Sequence, residues 1–405
     1  MPSPQTAAAG CGDGQGSDDA QKLRLIEIFR RHAQAYRAQF GLTPEQARLL
    51  ADMERCRTIA LGGHLYRCDH CSFEVPVYNS CGNRACPNCQ ALEQSRWIEA
   101  REQRILPVGH HHVVFTLPSE LRALAKLHPH EIYALLLQSA GKVLTSLGQD
   151  EFKARVGATL ILHTWTRELT FHPHVHCIVT SGGLALDGET WQHRKGFLFS
   201  IRQLKARFRA TLMAGLDRLR RKGLKYGDDP EAWARLFVKL PKAAQWVVWI
   251  EKPFGRSTHV LQYLGRYTHR VGLSDSRLVA VGDAAVTFTT KDGNTLTLPP
   301  LQLMRRYFQH VLPKGLNKIR HVGLYAPAHV RGELAVARQL LGDGDRAPVA
   351  VPPPAVSEAE SHETSVEFMI RVLGVDPRQC PSCQRGRLLL EATIERSRAP
   401  PVPTP

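Results

Sequence analysis

The sequence contains no run of about eighteen apolar residues, the length a helix needs to cross a bilayer, so no transmembrane helix is expected. Its first stretch, Met1–Asp19, is rich in Gly, Ala and Ser and lacks the apolar core of a secretory signal. It reads as a disordered tail on a cytoplasmic protein. No GxxxxGK motif followed by Ser or Thr is present, so the usual phosphate-cradling loop of nucleotide-hydrolysing enzymes is missing. No internal repeat is visible. Acidic residues are scarce beside basic ones: 37 Asp and Glu against 53 Lys and Arg leave a net charge of +16. Such a surplus favours a polyanionic partner, because each neutralised phosphate releases counterions. The basic residues concentrate in Arg202–Lys225, Arg266–Arg270 and Arg305–Arg320.

The 405 residues, with 43% apolar side chains, suffice for two or three globular domains. Ten cysteines are present, and their spacing favours metal over disulfides. Cys68-Asp69-His70-Cys71 and Cys86-Pro87-Asn88-Cys89 are two CxxC knuckles whose separation fits a tetrahedral four-thiolate zinc site. Cys56, Cys81, His64 and His70 lie close by, so one of them could replace a knuckle ligand; alternatively Cys56 and Cys81 are buried thiols. A closed site of this kind stabilises a small module and leaves no open coordination position. Structure and DNA docking are therefore its expected roles, with Arg55, Arg57, Arg67 and Arg84 as phosphate contacts; a protein-interaction module is the alternative. Cys380 and Cys383 form a lone pair that cannot close a site without ligands from elsewhere.

Helical periodicity marks Gln21–Phe40, and Thr43-Pro44-Glu45-Gln46 reads as a capped start of a second helix. A further helix is expected over Ala91–Arg104, another over Ser119–Leu147 with an interruption before Pro129, and an amphipathic one over Ser200–Arg221. Strands are expected at His110–Leu117, Gly157–Trp165, His172–Thr180 and Gln245–Ile250, then in short runs between Leu278 and Leu298. Gly157–Trp165 and His172–Thr180 could pair. Gly342–Ser365 reads as a flexible linker.

The run Phe171-His172-Pro173-His174-Val175-His176-Cys177 carries the first chemical signal. In an extended chain His172, His174 and His176 share one face while Val175, Cys177 and Val179 share the other. Two imidazoles plus a third ligand would leave positions open for a phosphate oxygen on a divalent ion. His172, His163 and Glu168 are the candidates for that third ligand. The second signal is Tyr263-Leu264-Gly265-Arg266-Tyr267-Thr268-His269-Arg270. On a helix, Tyr263 and Tyr267 stack on one face beside cationic Arg266 and Arg270, a setting that favours a phenolate nucleophile. Tyrosines at this spacing also pack into cores.

With His163-Thr164-Trp165 and His310-Val311-Leu312-Pro313-Lys314-Gly315 added, these motifs occur in order behind a Cys-rich module. The chain resembles the two-tyrosine rolling-circle transposases of the insertion-sequence ninety-one family, which are HUH endonucleases, from about Arg24 to Ala328. The resemblance implies an α+β fold in which an antiparallel sheet is flanked by helices and preceded by a small helical, four-cysteine zinc-binding domain. It implies that His174 and His176 hold Mg²⁺ or Mn²⁺, and that Cys68, Cys71, Cys86 and Cys89 hold structural Zn²⁺. It also implies that Tyr263 and Tyr267 attack single-stranded DNA to leave a 5′-phosphotyrosine, with Arg266, Arg270, Lys314 and Arg320 as DNA contacts. The partners would be the ends of a mobile element and its target DNA in a bacterial cytoplasm, at the nucleoid. The expected organisation is a tail (1–19), a helical and zinc-binding domain (20–105), a catalytic domain (106–335), a linker (336–365) and a small segment with the second CxxC (366–405). Two other readings stay open: a zinc-containing DNA-binding regulator without catalysis, and a metal-dependent nuclease that activates water.

Overall fold

The computed structural model describes residues 23–102, 104–194, 196, 198–240, 246–253, 272–342, 364–374 and 376–397. The first elements in chain order are α1 (Leu25–Gln39), α2 (Pro44–Arg55), β1 (Gly63–Cys68), β2 (Glu74–Tyr78), α3 (Ala91–Glu102) and β3 (His110–Thr116). Next come α4 (Arg122–Leu127), α5 (Pro129–Phe152), β4 (Ala154–Arg155), β5 (Gly157–Trp165), β6 (Phe171–Thr180), β7 (Gly182–Ala185), β8 (Trp191–His193) and α6 (Ile201–Arg221). They are followed by α7 (Ala232–Lys239), β9 (Val248–Ile250), β10 (Leu278–Val281), β11 (Val286–Thr289), β12 (Thr295–Leu298) and α8 (Pro300–Phe308). The last are β13 (Ile319–Gly323), α9 (Glu333–Leu340), α10 (Ser365–Leu373) and β14 (Leu388–Ile394). Helices and antiparallel sheets are mixed, as an α+β protein requires. No helix among the described residues is long and apolar enough to cross a membrane.

The chain divides into two compact units: Met1–Leu92 with Ser274–Met304 and Glu358–Pro405, and Glu93–Leu273 with Arg305–Ser357. The first therefore gathers β10–β12 and the C-terminal strand β14 with the amino-terminal helices, a grouping that neighbourhood in sequence does not suggest. In it, α1 and α2 bury Phe29, Ala33, Leu49, Leu50 and Met53. Thr43 and Gln46 form the capping box their spacing predicts, each side chain bonding the other's backbone N–H. One small sheet has the order β14-β1-β2, another β10-β11-β12. Helix α9 ends at Leu340, just ahead of the Gly342–Ser365 stretch, most of which lies outside the described residues.

The second unit is built on a five-stranded antiparallel sheet of order β13-β5-β6-β3-β9. Strand alternation gives it two unlike faces. Val113, Phe115, Leu160, Leu162, Val175, Cys177 and Val179 form one face and are buried under α5 and α6. The α6 stripe Leu204, Phe208, Leu212 and Leu216, spaced by four, supplies the facing ridge. These helices approach so closely at Gly215 that a Cβ there would lie 2.1 Å from Leu135 Cδ1. The other face carries Ile161 and Ile178, covered by Leu106, Leu324 and Tyr325. Beyond that cover, along the same face, it carries the histidines.

Candidate functional site

In β5 and β6, His163 pairs directly with His174, and His176 follows one pleat further along. Their ligating nitrogens and those of no other described His, Cys, Asp or Glu form one cluster, all within 4.8 Å of one another. This singles out His163 among the three candidates for a third ligand. The His172 ring instead accepts a hydrogen bond from Arg122 Nη2 at 2.9 Å, and Glu168 lies in the β5–β6 turn, its carbonyl accepting from Arg306. Pro173 sits near the start of β6, where the β5 pairing shifts register between His163 and Trp165, so its missing N–H costs little ladder.

The hydrogen bonds around the cluster orient both rings of the HxH pair. His174 Nδ1 donates to the His172 carbonyl at 2.6 Å. His176 Nδ1 lies 2.8 Å from His112 Nε2, and His112 Nδ1 lies 3.2 Å from a Glu251 carboxylate oxygen. With Glu251 ionised, the consistent tautomers run His176 to His112 to Glu251, each Nδ1–H donating outward. Both Nε2 lone pairs then face each other, 2.9 Å apart. Burial pushes the His174 imidazole down to about 4 and His176 well below its ordinary value, so both are neutral and able to ligate at pH 7. Burial likewise lowers His112, against the opposing pull of Glu251. The Trp165 indole stacks on His163 with centroids 4.9 Å apart.

Two lone pairs facing at this distance repel, and a cation bound by both nitrogens would relieve that repulsion. An octahedral ion at about 2.1 Å from its ligands sets adjacent donors about 3 Å apart, close to the spacing seen. The residues present therefore fit a divalent ion with open positions.

The cysteines divide differently from the expected tetrad. Cys86 and Cys89 cluster with Cys56 and Cys81, while Cys68 and Cys71 cluster with Cys380 and Cys383. The single site of Cys68, Cys71, Cys86 and Cys89 is thus not formed. The reason is local: β1 ends at Cys68 and the chain reverses into β2, whereas Cys56 caps α2 beside the 81–89 loop. Sγ separations in the first cluster are 3.6 Å for Cys56–Cys89, 3.6 Å for Cys81–Cys89 and 3.7 Å for Cys56–Cys86. Tetrahedral zinc with bonds of about 2.3 Å gives edges of about 3.8 Å. Four thiolates at this spacing fit structural zinc and exclude a disulfide, whose sulfurs lie about 2 Å apart.

The expected DNA contacts are dispersed. Lys314 is exposed in the turn before β13. Arg320 pairs with Leu160 and so lies on the helix-covered face, opposite the histidines. Around the cysteines, Arg67 spends its guanidinium on Glu74 and Glu391, and Arg55 pairs with Asp52. Tyr263, Tyr267, Arg266 and Arg270 lie outside the described residues. His112 and Glu251 were missed by sequence reasoning. The available signal was the alternation in His110-His111-His112, which turns His110 and His112 to the HxH face of the sheet.

Comparison with known proteins identifies relatives of this chain. Residues 157–333 match the model of a family described as putative transposase, and residues 28–117 match the transposase zinc-binding domain. The chain is 36% identical over 394 residues to the putative transposase y4qJ of Sinorhizobium fredii, covering 93% of this chain and 97% of that one. It is 29% identical over 303 residues to the transposase for insertion sequence element IS801 of Pseudomonas savastanoi pv. phaseolicola, covering 71% and 72% respectively. No solved structure matches. The chain belongs to the transposases of the insertion-sequence ninety-one family and carries their amino-terminal zinc-binding domain. Transposases act on DNA, and the net charge of +16 suits that partner.

Proposed function

We propose that this transposase nicks single-stranded DNA at an element end and transfers the strand through a 5′-phosphotyrosine, moving the element by a rolling-circle route. The observation that carries the reading is the pair of Nε2 atoms 2.9 Å apart, each ring anchored through Nδ1. His163, His174 and His176 would hold Mg²⁺ or Mn²⁺, which when bound polarises the scissile phosphate and orients it. His112 and Glu251 keep the His176 ring aligned. Tyr263 or Tyr267 supplies the phenolate that attacks phosphorus, the 3′ oxygen leaves, and the second tyrosine takes a later transfer. The bond energy is kept in the phosphotyrosine, so no nucleotide is consumed.

Two described residues that flank the tyrosine segment in sequence touch neighbours of the histidine cluster. Glu251, ahead of it, contacts His112. Gly272, after it, abuts Trp165: a Cβ there would lie 2.2 Å from its indole, which in turn stacks on His163. Arg266 and Arg270, within that segment, would neutralise phosphate and favour the phenolate, and Lys314 would add a peripheral contact.

The strand's path also has candidate contacts. Trp249 on β9 stands in register with Val114 and His176, on the histidine face, and is 56% exposed. An exposed indole beside the site suits stacking of an unpaired base. At the other end of this face, Arg101 and Arg104 line a pocket with Thr159, Ile178 and His321. Neither guanidinium forms an ion pair with a described carboxylate, and burial lowers both. A backbone phosphate would compensate these desolvated charges.

The deciding experiment incubates the protein with labelled single-stranded DNA from an element end and Mg²⁺ or Mn²⁺, then denatures it. A covalent adduct is expected, lost in the Tyr263→Phe/Tyr267→Phe double variant and mapped to a tyrosine by mass spectrometry. Cleavage without an adduct would instead establish the water-activating nuclease. Binding without cleavage would establish the non-catalytic regulator.

A further inference from the structure

We propose that Cys68, Cys71, Cys380 and Cys383 hold a second zinc ion, which fastens the C-terminal segment of the chain onto its amino-terminal module. The zinc-binding domain matched over 28–117 contains only the first two of these ligands. The other two come from more than three hundred residues downstream, |i−j| being 309 for Cys71 and Cys380.

Geometry supports the assignment at three levels. First, Cys68 and Cys383 Sγ lie 3.7 Å apart, as do Cys71 and Cys380. That is the edge of a zinc-thiolate tetrahedron and nearly twice a disulfide bond. Second, the two CxxC loops are shaped as knuckles. The backbone N–H of His70 points at Cys68 Sγ from 3.4 Å, and that of Gly386 points at Cys383 Sγ from 3.3 Å. Amide donors aimed at sulfur stabilise thiolate over thiol. Third, the loops are locked together. Asp69 Oδ1 accepts from Arg387 N at 2.8 Å, and Asp69 N donates to Arg387 O at 3.0 Å. Only glycine fits at 386, since a Cβ would lie 2.5 Å from Cys68 Sγ.

Energetics point the same way. β14 pairs with β1 along its length, from Gly63↔Ile394 to Cys68↔Leu388. Yet it is exposed or half-exposed throughout, with Leu389 and Leu390 each 57% accessible. An edge strand that buries so little apolar surface gains little from the hydrophobic effect. Zinc at the end of the ladder supplies the missing restraint, since metal binding at a site absent from the unfolded chain stabilises the fold. The arrangement is a ribbon of β2, β1 and β14 closed at one end by two knuckles. This inference is independent of the histidine chemistry.

The test measures zinc in the purified full-length protein and the accessibility of its thiols. Two zinc ions per chain are expected. The Cys380→Ser/Cys383→Ser double variant should retain one, and Cys86→Ser/Cys89→Ser should retain the other. Wild-type protein gives a readout that needs no folded variant: alkylation followed by mass spectrometry. Cys71 is exposed and would react at once as a free thiol. If the site is metallated, Cys71, Cys380 and Cys383 resist alkylation until a chelator is added. One zinc per chain, or immediate alkylation of these three cysteines in the zinc-loaded protein, overturns the proposal.

Discussion

In the cysteine clusters all four ligands are thiols supplied by the protein, whereas the histidine cluster offers three imidazoles and leaves coordination positions over. The surroundings differ to match. The sulfurs are bracketed by backbone N–H groups and tight loops, with nothing to aim them at a substrate. The imidazoles sit on a rigid sheet, and two of them are oriented from behind by the His172 carbonyl and by the His112–Glu251 pair. A closed thiolate shell suits a structural role, and an open imidazole shell oriented from behind suits a chemical one. The comparison predicts that damage to one region should be read out in stability and damage to the other in turnover.

The largest effect is expected from Cys86→Ser. Structural zinc contributes roughly 10 kcal/mol or more to folding at such sites. The variant should lose one zinc, and the amino-terminal helices α1 and α2 should become protease-sensitive. The histidine-bearing sheet should keep its protection in hydrogen exchange. Unfolding of both units together would show that the two are not separable in this way. Next comes His174→Ala. Cleavage should fall by about 10³-fold or more, because one of the three proposed metal ligands is lost. Zinc content should stay at the wild-type value; a loss of zinc would mean that the histidines are part of a structural site.

A smaller effect separates ligand from support. His112→Ala leaves all three proposed ligands in place but frees His176 Nδ1. Outer-shell partners of metal ligands typically matter about 10–100-fold in affinity. The Mn²⁺ concentration needed for half-maximal cleavage should rise by that factor, with the rate at saturating metal largely restored. An unrecovered rate at saturation would show that His112 acts in the chemistry.

The two regions were not equally legible in sequence. The alternation of residues 171–179 alone predicts that His174 and His176 share a face and Val175 and Cys177 the opposite one, and the sheet obeys it. His163 entered as one candidate among three because the pairing register of β5 on β6 is a tertiary property. For the cysteines, nearness in sequence was misleading. Cys71 and Cys86 belong to different clusters because strand β2 lies between them and carries the chain to the Gly63 end of β1, and their partners Cys380 and Cys56 are chosen by strand pairing and a helix end. Support residues such as Glu251 carry no local signature. Its role exists only because β9 pairs with β3.

The histidines outside the cluster make the second unit acid-sensitive. Burial lowers His110 and His310 to about 4 and His321 to about 3. Each is neutral in the folded state at pH values where the unfolded chain, with an imidazole near 6.5, already takes up a proton. Stability is therefore complete above about pH 6.5 and declines as pH falls toward 4. Between pH 7 and pH 5 the melting temperature of this unit should drop by roughly 5 °C or more. A flat profile would show that these rings are not buried neutral.

The smallest effect concerns the exposed aromatic on the histidine face. Trp249 lies on edge strand β9, its indole N–H 3.3 Å from Glu251 Oε1, the carboxylate whose other oxygen faces His112. Trp249→Ala removes a stacking surface worth about 1–3 kcal/mol per base, so single-strand affinity should fall about ten-fold. Because the side chain is mostly exposed, the melting temperature should hardly move. Trp249→Phe should recover most of the affinity, since every base stacks on an aromatic face. If Phe behaves like Ala while metal dependence shifts, the indole acts through Glu251 on the histidines, and the contrast between substrate-facing and ligand-supporting residues on this face would have to be redrawn.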